Sequence, residues 1–215
     1  MKVIAVNGSP RKKWNTATML TRALQGSADR GALTELIHLY DLDYRGCSSC
    51  FACKTRGGPS YGRCALQDDL TPVLQRIEEA DALILGSPIY FGQVTGGMRS
   101  FLERLLFPYL RYSRGERSLF SGRMDTAWIY TMNCPEASKK DTGYDRVMVE
   151  NERLLKMICG GECFTISSHE TLQFTDYSEV EADMFDPDQK KARHERIFPR
   201  DCERAYALGA RLAGK

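Results

Sequence analysis

The sequence predicts an α/β fold, a doubly wound five-stranded parallel sheet with helices on both faces. Two observations carry this. Short apolar runs of strand length alternate with longer stretches of helical periodicity. The runs are also continuous in hydrophobicity, as strands buried on both faces are.

Residues 3–6, Val-Ile-Ala-Val, form the first strand. Residues 16–24 read as a helix because Met19, Leu20, Ala23 and Leu24 share one face. Residues 33–39 make a second strand, and 41–67 a long loop. Asp68 and Asp69 open the next helix, where acidic side chains suit the positive end of the dipole. Its apolar stripe is Leu70, Val73, Leu74 and Ile77. Strands follow at 82–85, 126–131 and 163–167, with helices at 98–106 and 148–158. The segment 188–212 reads as a charged helix broken at Pro199. With no repeat or low-complexity linker, residues 1–215 are expected to form a single domain. It carries a cysteine-containing loop at 41–67 and a helical tail at about 174–215 that packs on a partner subunit.

The composition, 42% hydrophobic and 27% charged, is that of an ordinary globular chain. Thirty basic and 28 acidic side chains leave a net charge of +2, which gives no electrostatic reason to expect nucleic acid or an anionic membrane as partner. No apolar run approaches the ~20 residues of a membrane span. The N-terminus reads as a buried strand rather than a signal peptide. A cytoplasmic location is therefore expected, and the eight cysteines are read as thiols or metal ligands rather than disulfides.

In doubly wound sheets ligands sit at the C-terminal strand ends, near the switch in strand order. The loop after the first strand, Asn7-Gly8-Ser9-Pro10-Arg11-Lys12-Lys13-Trp14-Asn15-Thr16, precedes a helix. Free backbone N–H groups and the dipole end face one point there, which suits an anion. Ser9, Asn15 and Thr16 add donors and Arg11 a charged fork. The loop contains neither GxxxxGK[ST] nor GxGxxG, and its donors suit a terminal monophosphate better than a pyrophosphate. A plain helix cap and polar turn is the alternative. The loop after the third strand, Gly86 to Met98, combines Tyr90 and Phe91 with small residues and exposed backbone. A planar, amphipathic ring needs such a wall; core or interface aromatics are the alternative.

Together the segments NGSPRKKWNT and SPIYFGQVTGGMRSFLER resemble the flavodoxin-like NAD(P)H-dependent FMN reductase family, over roughly residues 1 to 170. The resemblance implies a flavodoxin-like sheet and bound FMN, with NAD(P)H as co-substrate. It places Ser9, Arg11, Asn15 and Thr16 on the FMN phosphate, and Pro88, Ile89, Tyr90, Phe91 and Gly92 beside the isoalloxazine ring. The loop from Thr131 to Pro135, including Asn133, would close over the ring's other end. Electrons would pass from NAD(P)H through FMN to a small acceptor such as a quinone or flavin, or to a redox protein. Subunit contacts completing the flavin site imply a homodimer or homotetramer. No residue is assigned a catalytic role, because the cofactor supplies the reactive atom.

Cys47, Cys50 and Cys53 form a C-x2-C-x2-C run followed by Cys64. A run this tight can direct three thiolates at one cuboid. The iron–sulfur flavoproteins, close relatives of the reductases, carry four cysteines in this loop and bind a [4Fe–4S] cluster. That resemblance makes the four residues candidate cluster ligands and the protein, as the alternative function, an electron carrier. Ten residues separate Cys53 from Cys64, a longer gap than is usual there. Free or redox-active thiols and zinc are the other readings. Cys50 to Arg56 also has the C-x5-R spacing of cysteine phosphatases, but no glycine lies between to let backbone amides converge. Cys134, Cys159, Cys163 and Cys202 are read as packing residues. The acidic pairs Asp68-Asp69 and Glu78-Glu79 are read as solvated helix ends. His38, His169 and His194 are too scattered for a metal site.

Overall fold

The computed structural model describes residues 1–214; Lys215, the last residue of the expected tail, lies outside them. Five parallel strands form the sheet: β1 (Lys2–Asn7), β2 (Leu33–His38), β3 (Ala82–Tyr90), β5 (Met124–Thr131) and β6 (Gly160–Ser168), in the order β2-β1-β3-β5-β6. A two-residue strand, β4 (Gln93–Val94), folds back antiparallel on β3. This is the flavodoxin-like order, with its switch point between β1 and β3.

The central strands are buried on both faces, and Val3 to Val6 and Ala82 to Leu85 are wholly inaccessible. Residues 86–90, read from the sequence as loop, extend β3 instead. The register explains it: pairing with β1 ends at Asn7↔Gly86, while pairing with β5 runs on to Pro88↔Thr131. Pro88 therefore sits where one side of the strand is already open, and its missing N–H costs little.

Helices cover both faces. One face carries α2 (Leu70–Glu78), α3 (Gly96–Leu106) and α4 (Tyr144–Cys159), packed over Leu83, Leu85, Trp128 and Tyr130. The other carries α1 (Asn15–Ala28) and α6 (Phe198–Ala213), packed over Val3, Ala5, Ile84 and Ile129. The end of the tail, α6, therefore docks on its own chain. The tail's helical part is divided as Pro199 suggests: α5 (Pro187–Arg196) stops at Ile197, and Pro199 lies in the first turn of α6. Phe198, Cys202, Ala205, Leu208 and Leu212 give α6 an apolar stripe. Two glycines let α1 and α6 touch backbone to backbone. A Cβ on Gly209 would lie 1.7 Å from the Ala23 carbonyl oxygen, and one on Gly26 2.0 Å from that of Tyr206.

Two carboxylates read as solvated have partners. Asp68 accepts from both terminal nitrogens of Arg104, at 2.7 and 3.1 Å, and Arg104 is 1% exposed. This hydrogen bonding holds the Asp68 carboxyl below the usual carboxylate range. Glu78 accepts from the Tyr109 hydroxyl at 2.6 Å and pairs with Arg63.

Candidate functional site

The loop after β1 is held from within. The Asn7 side-chain oxygen accepts from the Ser9 amide at 3.0 Å, and the Ser9 hydroxyl accepts from the Arg11 amide at 3.2 Å. The Ser9 hydroxyl proton stays available to a ligand. α1 then begins after Trp14, with no side-chain cap and no acidic residue in its first turn. Helix starts favour Ser, Thr, Asp or Asn. A tryptophan there leaves the positive end of the helix without an internal anion. The Arg11 guanidinium lies 3.8 Å above the Trp14 ring, which positions a cation beside it.

This loop is locked to the one after β3. The Gly8 amide donates to the Gly86 carbonyl at 2.8 Å, and the Thr95 hydroxyl donates to the Gly8 carbonyl at 2.6 Å. The same hydroxyl caps α3 by accepting from the Met98 amide. The two segments singled out in the sequence thus form one rigid floor.

Ser9, Arg11, Asn15, Thr16, Pro88, Ile89, Tyr90 and Asn133 line a single open cleft of about 210 Å³. Burial, with Tyr40 adding to it, raises the Tyr90 phenol above its ordinary value, so it presents a neutral aromatic wall. Phe91 and Gly92, grouped with these residues by sequence, do not line the cleft. They are the central residues of the β3–β4 hairpin, with φ of 48° and 81°. Two left-handed residues in a two-residue loop match strand twist. That turn leaves Phe91 wholly exposed at the rim.

Thr131, Met132 and Asn133 close the far side. The fourth wall, Thr171 to Phe174 after β6, has no sequence signature. Its backbone carbonyls take side chains from the loop after β1: Leu172 accepts from the Trp14 indole at 2.9 Å and the Asn15 amide at 2.8 Å, and Gln173 from Arg11 at 2.5 Å. The Thr16 hydroxyl pairs with that of Thr131. Of the four residues assigned to an anion, Ser9 and the remaining nitrogens of Arg11 are the freest to donate. Asn15 and Thr16 are engaged in shaping the walls.

Cys47, Cys50, Cys53 and Cys64 line a second, smaller pocket together with Phe51, Glu103, Arg104 and Phe107. Ser49 and Phe51, either side of Cys50, are left-handed at φ of 54° and 57°, strained for residues other than glycine. Long-range clips hold this loop. Glu103 accepts from the Cys47 amide, Arg104 Nε donates to Cys64 Sγ at 2.8 Å, and the Lys54 ammonium donates to the carbonyls of Phe107, Pro108 and Leu110 beyond the end of α3. Backbone carbonyls of residues 107–110, just after α3, thus anchor the cysteine loop. Among the described residues no three Cys, His, Asp or Glu side chains converge as a single metal ion demands. A cuboidal cluster puts each thiolate on a separate corner iron, so its ligands stand farther apart. Cys47, Cys50, Cys53 and Cys64 share one pocket without converging on a point. Of the cysteines outside this pocket, Cys159, Cys163 and Cys202 are buried, as packing residues are, while Cys134 is partly exposed.

The family model described as NADPH-dependent FMN reductase matches residues 1–124. The chain belongs to this family. An iron-sulfur flavoprotein of Methanocaldococcus jannaschii is 39% identical over 104 residues, 48% of this chain and 51% of that one. One from Archaeoglobus fulgidus is 38% identical over 104 residues, 48% of each chain. The matches thus span about half the length of these relatives. Among solved structures, the NAD(P)H:quinone oxidoreductase from Methanothermobacter marburgensis superposes with a TM-score of 0.71 at 18% identity, covering 99% of this chain and 96% of that one. An azoreductase from Bacillus anthracis gives 0.68 at 13% identity, covering 98% and 99%. At these identities the likeness is one of fold.

The part of the chain matched by the family model holds the loops after β1 and β3 and all four clustered cysteines. Asn133, the 171–174 wall and α4 to α6 lie beyond it. The donor set suits FMN: hydroxyl and guanidinium donors beside an uncapped helix start at one end, and Pro88, Ile89 and Tyr90 at the other.

Proposed function

We propose that the chain binds FMN in the cleft between the loops after β1, β3 and β5, and passes electrons from NADH or NADPH to a small acceptor such as a quinone or flavin. One observation carries this reading: the donors after β1 and the aromatic wall after β3 line the same cleft at the switch point of the sheet.

When bound, FMN supplies a ring that accepts a hydride and returns electrons. The chain's own part is to bind and orient. Ser9, Arg11 and the start of α1 hold the phosphate by charge-assisted hydrogen bonds. Pro88, Ile89 and Tyr90 give the ring a dry face. Asn133 offers its carboxamide to the ring's polar edge. The open side of the cleft admits nicotinamide and acceptor in turn. No titratable side chain is required to move a proton.

The second reading, an electron carrier with a [4Fe–4S] cluster on Cys47, Cys50, Cys53 and Cys64, is favoured by their shared pocket. The relatives named iron-sulfur flavoproteins support it. Anaerobic mixing separates the two. Flavin bands that bleach rapidly on addition of NAD(P)H alone, and recover with a quinone, support the reductase. Bleaching only by a ferredoxin-type donor, with iron and acid-labile sulfide present, supports the carrier.

We further propose that residues 1–215 act as one flavin-binding domain, in a homodimer or homotetramer whose contacts cover the rim. The exposed Tyr90 and Phe91 support this, and light scattering tests it. No helix among the described residues is long and apolar enough to cross a membrane. The eight unpaired cysteines favour a reducing, cytoplasmic compartment.

A further inference from the structure

Lys190, on α5, is 7% exposed. Among the described residues no carboxylate lies within ion-pairing distance of its ammonium. Its contacts are the Asn133 side-chain oxygen, to which it donates, and the face of Phe185 at 5.0 Å. Glu170 acts on it only through space, against Arg193. An unpaired buried ammonium is costly, and burial lowers its pKa from the ordinary lysine value. Such a group persists where something else compensates it.

The position says what that is. Asn133 lines the cleft. With its oxygen turned to Lys190, the carboxamide has both NH2 protons left to donate to a ligand. The loop carrying Asn133 follows β5, which pairs with β3 and not with β1. On the FMN reading above, this is the loop that closes over the ring. Nothing in residues 1–124 reports this feature.

We propose that Lys190 is a positioning residue of the flavin site: it fixes Asn133 as a donor toward the ring and supplies the positive charge that favours reduced over oxidised FMN. This rests on the FMN reading above. In the redox step two electrons and a proton leave NAD(P)H as hydride, NAD(P)+ departs, and the ring gains one negative charge. Oxidised ring gains little from a nearby ammonium; reduced ring gains its attraction.

The test is the affinity of the apo chain for oxidised FMN and, anaerobically, for dithionite-reduced FMN. Wild type, Lys190→Met, Lys190→Gln and Lys190→Arg are compared, with thermal melts confirming folding. Removing the charge is expected to weaken reduced FMN about tenfold more than oxidised FMN, equivalent to a fall of about 30 mV in the two-electron potential. Lys190→Arg keeps the wild-type ratio. Lys190→Gln serves if Lys190→Met does not fold. A purely structural lysine would weaken both forms equally, and an unchanged ratio in Met and Gln variants that fold overturns the inference. Wild type that binds neither form of FMN overturns the flavin reading, and this inference with it.

Discussion

The side-chain oxygens of Thr16 and Thr131 lie 2.7 Å apart, tying the first turn of α1 to the last residue of β5 across the switch point. Both are buried, at 2% and 3% exposure. Replacing either by Val strands the other hydroxyl, at a cost of about 1–3 kcal/mol. The double variant restores much of that, because no unpaired group remains. Urea unfolding of the two single variants and the double gives the coupling energy. Additive losses would show that the pair does not interact.

Arg11 carries the only charge assigned to the phosphate. Arg11→Ala is expected to weaken FMN by about 2 kcal/mol, the scale of a charged hydrogen bond, while riboflavin binding changes little. Fluorescence titration with both ligands reads it. Equal losses would place Arg11 elsewhere than at the phosphate.

The contact of α6 with α1 depends on a missing side chain. Gly209→Ala puts a methyl group into the Ala23 carbonyl and is expected to cost about 3 kcal/mol or more. Gly115→Ala meets nothing closer than 3.9 Å and stays within about 0.5 kcal/mol of wild type. Denaturant melts compare them.

His169 links β6 to the loop after β5, with Nε2 on the Ser167 hydroxyl at 2.9 Å and Nδ1 on the Cys134 carbonyl at 3.2 Å. Burial pushes the imidazole below its ordinary value, against the opposing pull of that carbonyl. A base with a depressed folded pKa stabilises the fold above its unfolded value, about 6.5. It loses that contribution as pH falls through the lower folded value. Melting temperature should drop on acidification below about pH 6.5, and His169→Asn should flatten this part of the profile. An unaltered slope would assign it to other groups.

Much of the sheet is legible because buried parallel strands read as unbroken apolar runs, and Ile4 to Val6 and Leu83 to Leu85 do so. The two loops were legible because their chemistry is local. The rest depends on contacts distant in sequence. Leu172 and Gln173 reach the loop after β1 through backbone carbonyls, which carry no residue signature. Asp68 looks solvated until Arg104 is placed on it. Phe91 reads as a ring contact until the hairpin turns it outward. Lys190 lies in a charged tail, and only the docking of α5 brings it to Asn133.

The cleft itself is tested most directly by titrating the apo chain with FMN under equilibrium dialysis, with bound flavin read by its visible bands. Saturation at one FMN per chain, weakened in Arg11→Ala, is the expected result. A wild-type chain that stays colourless and retains no FMN at concentrations up to about 1 mM would contradict the account.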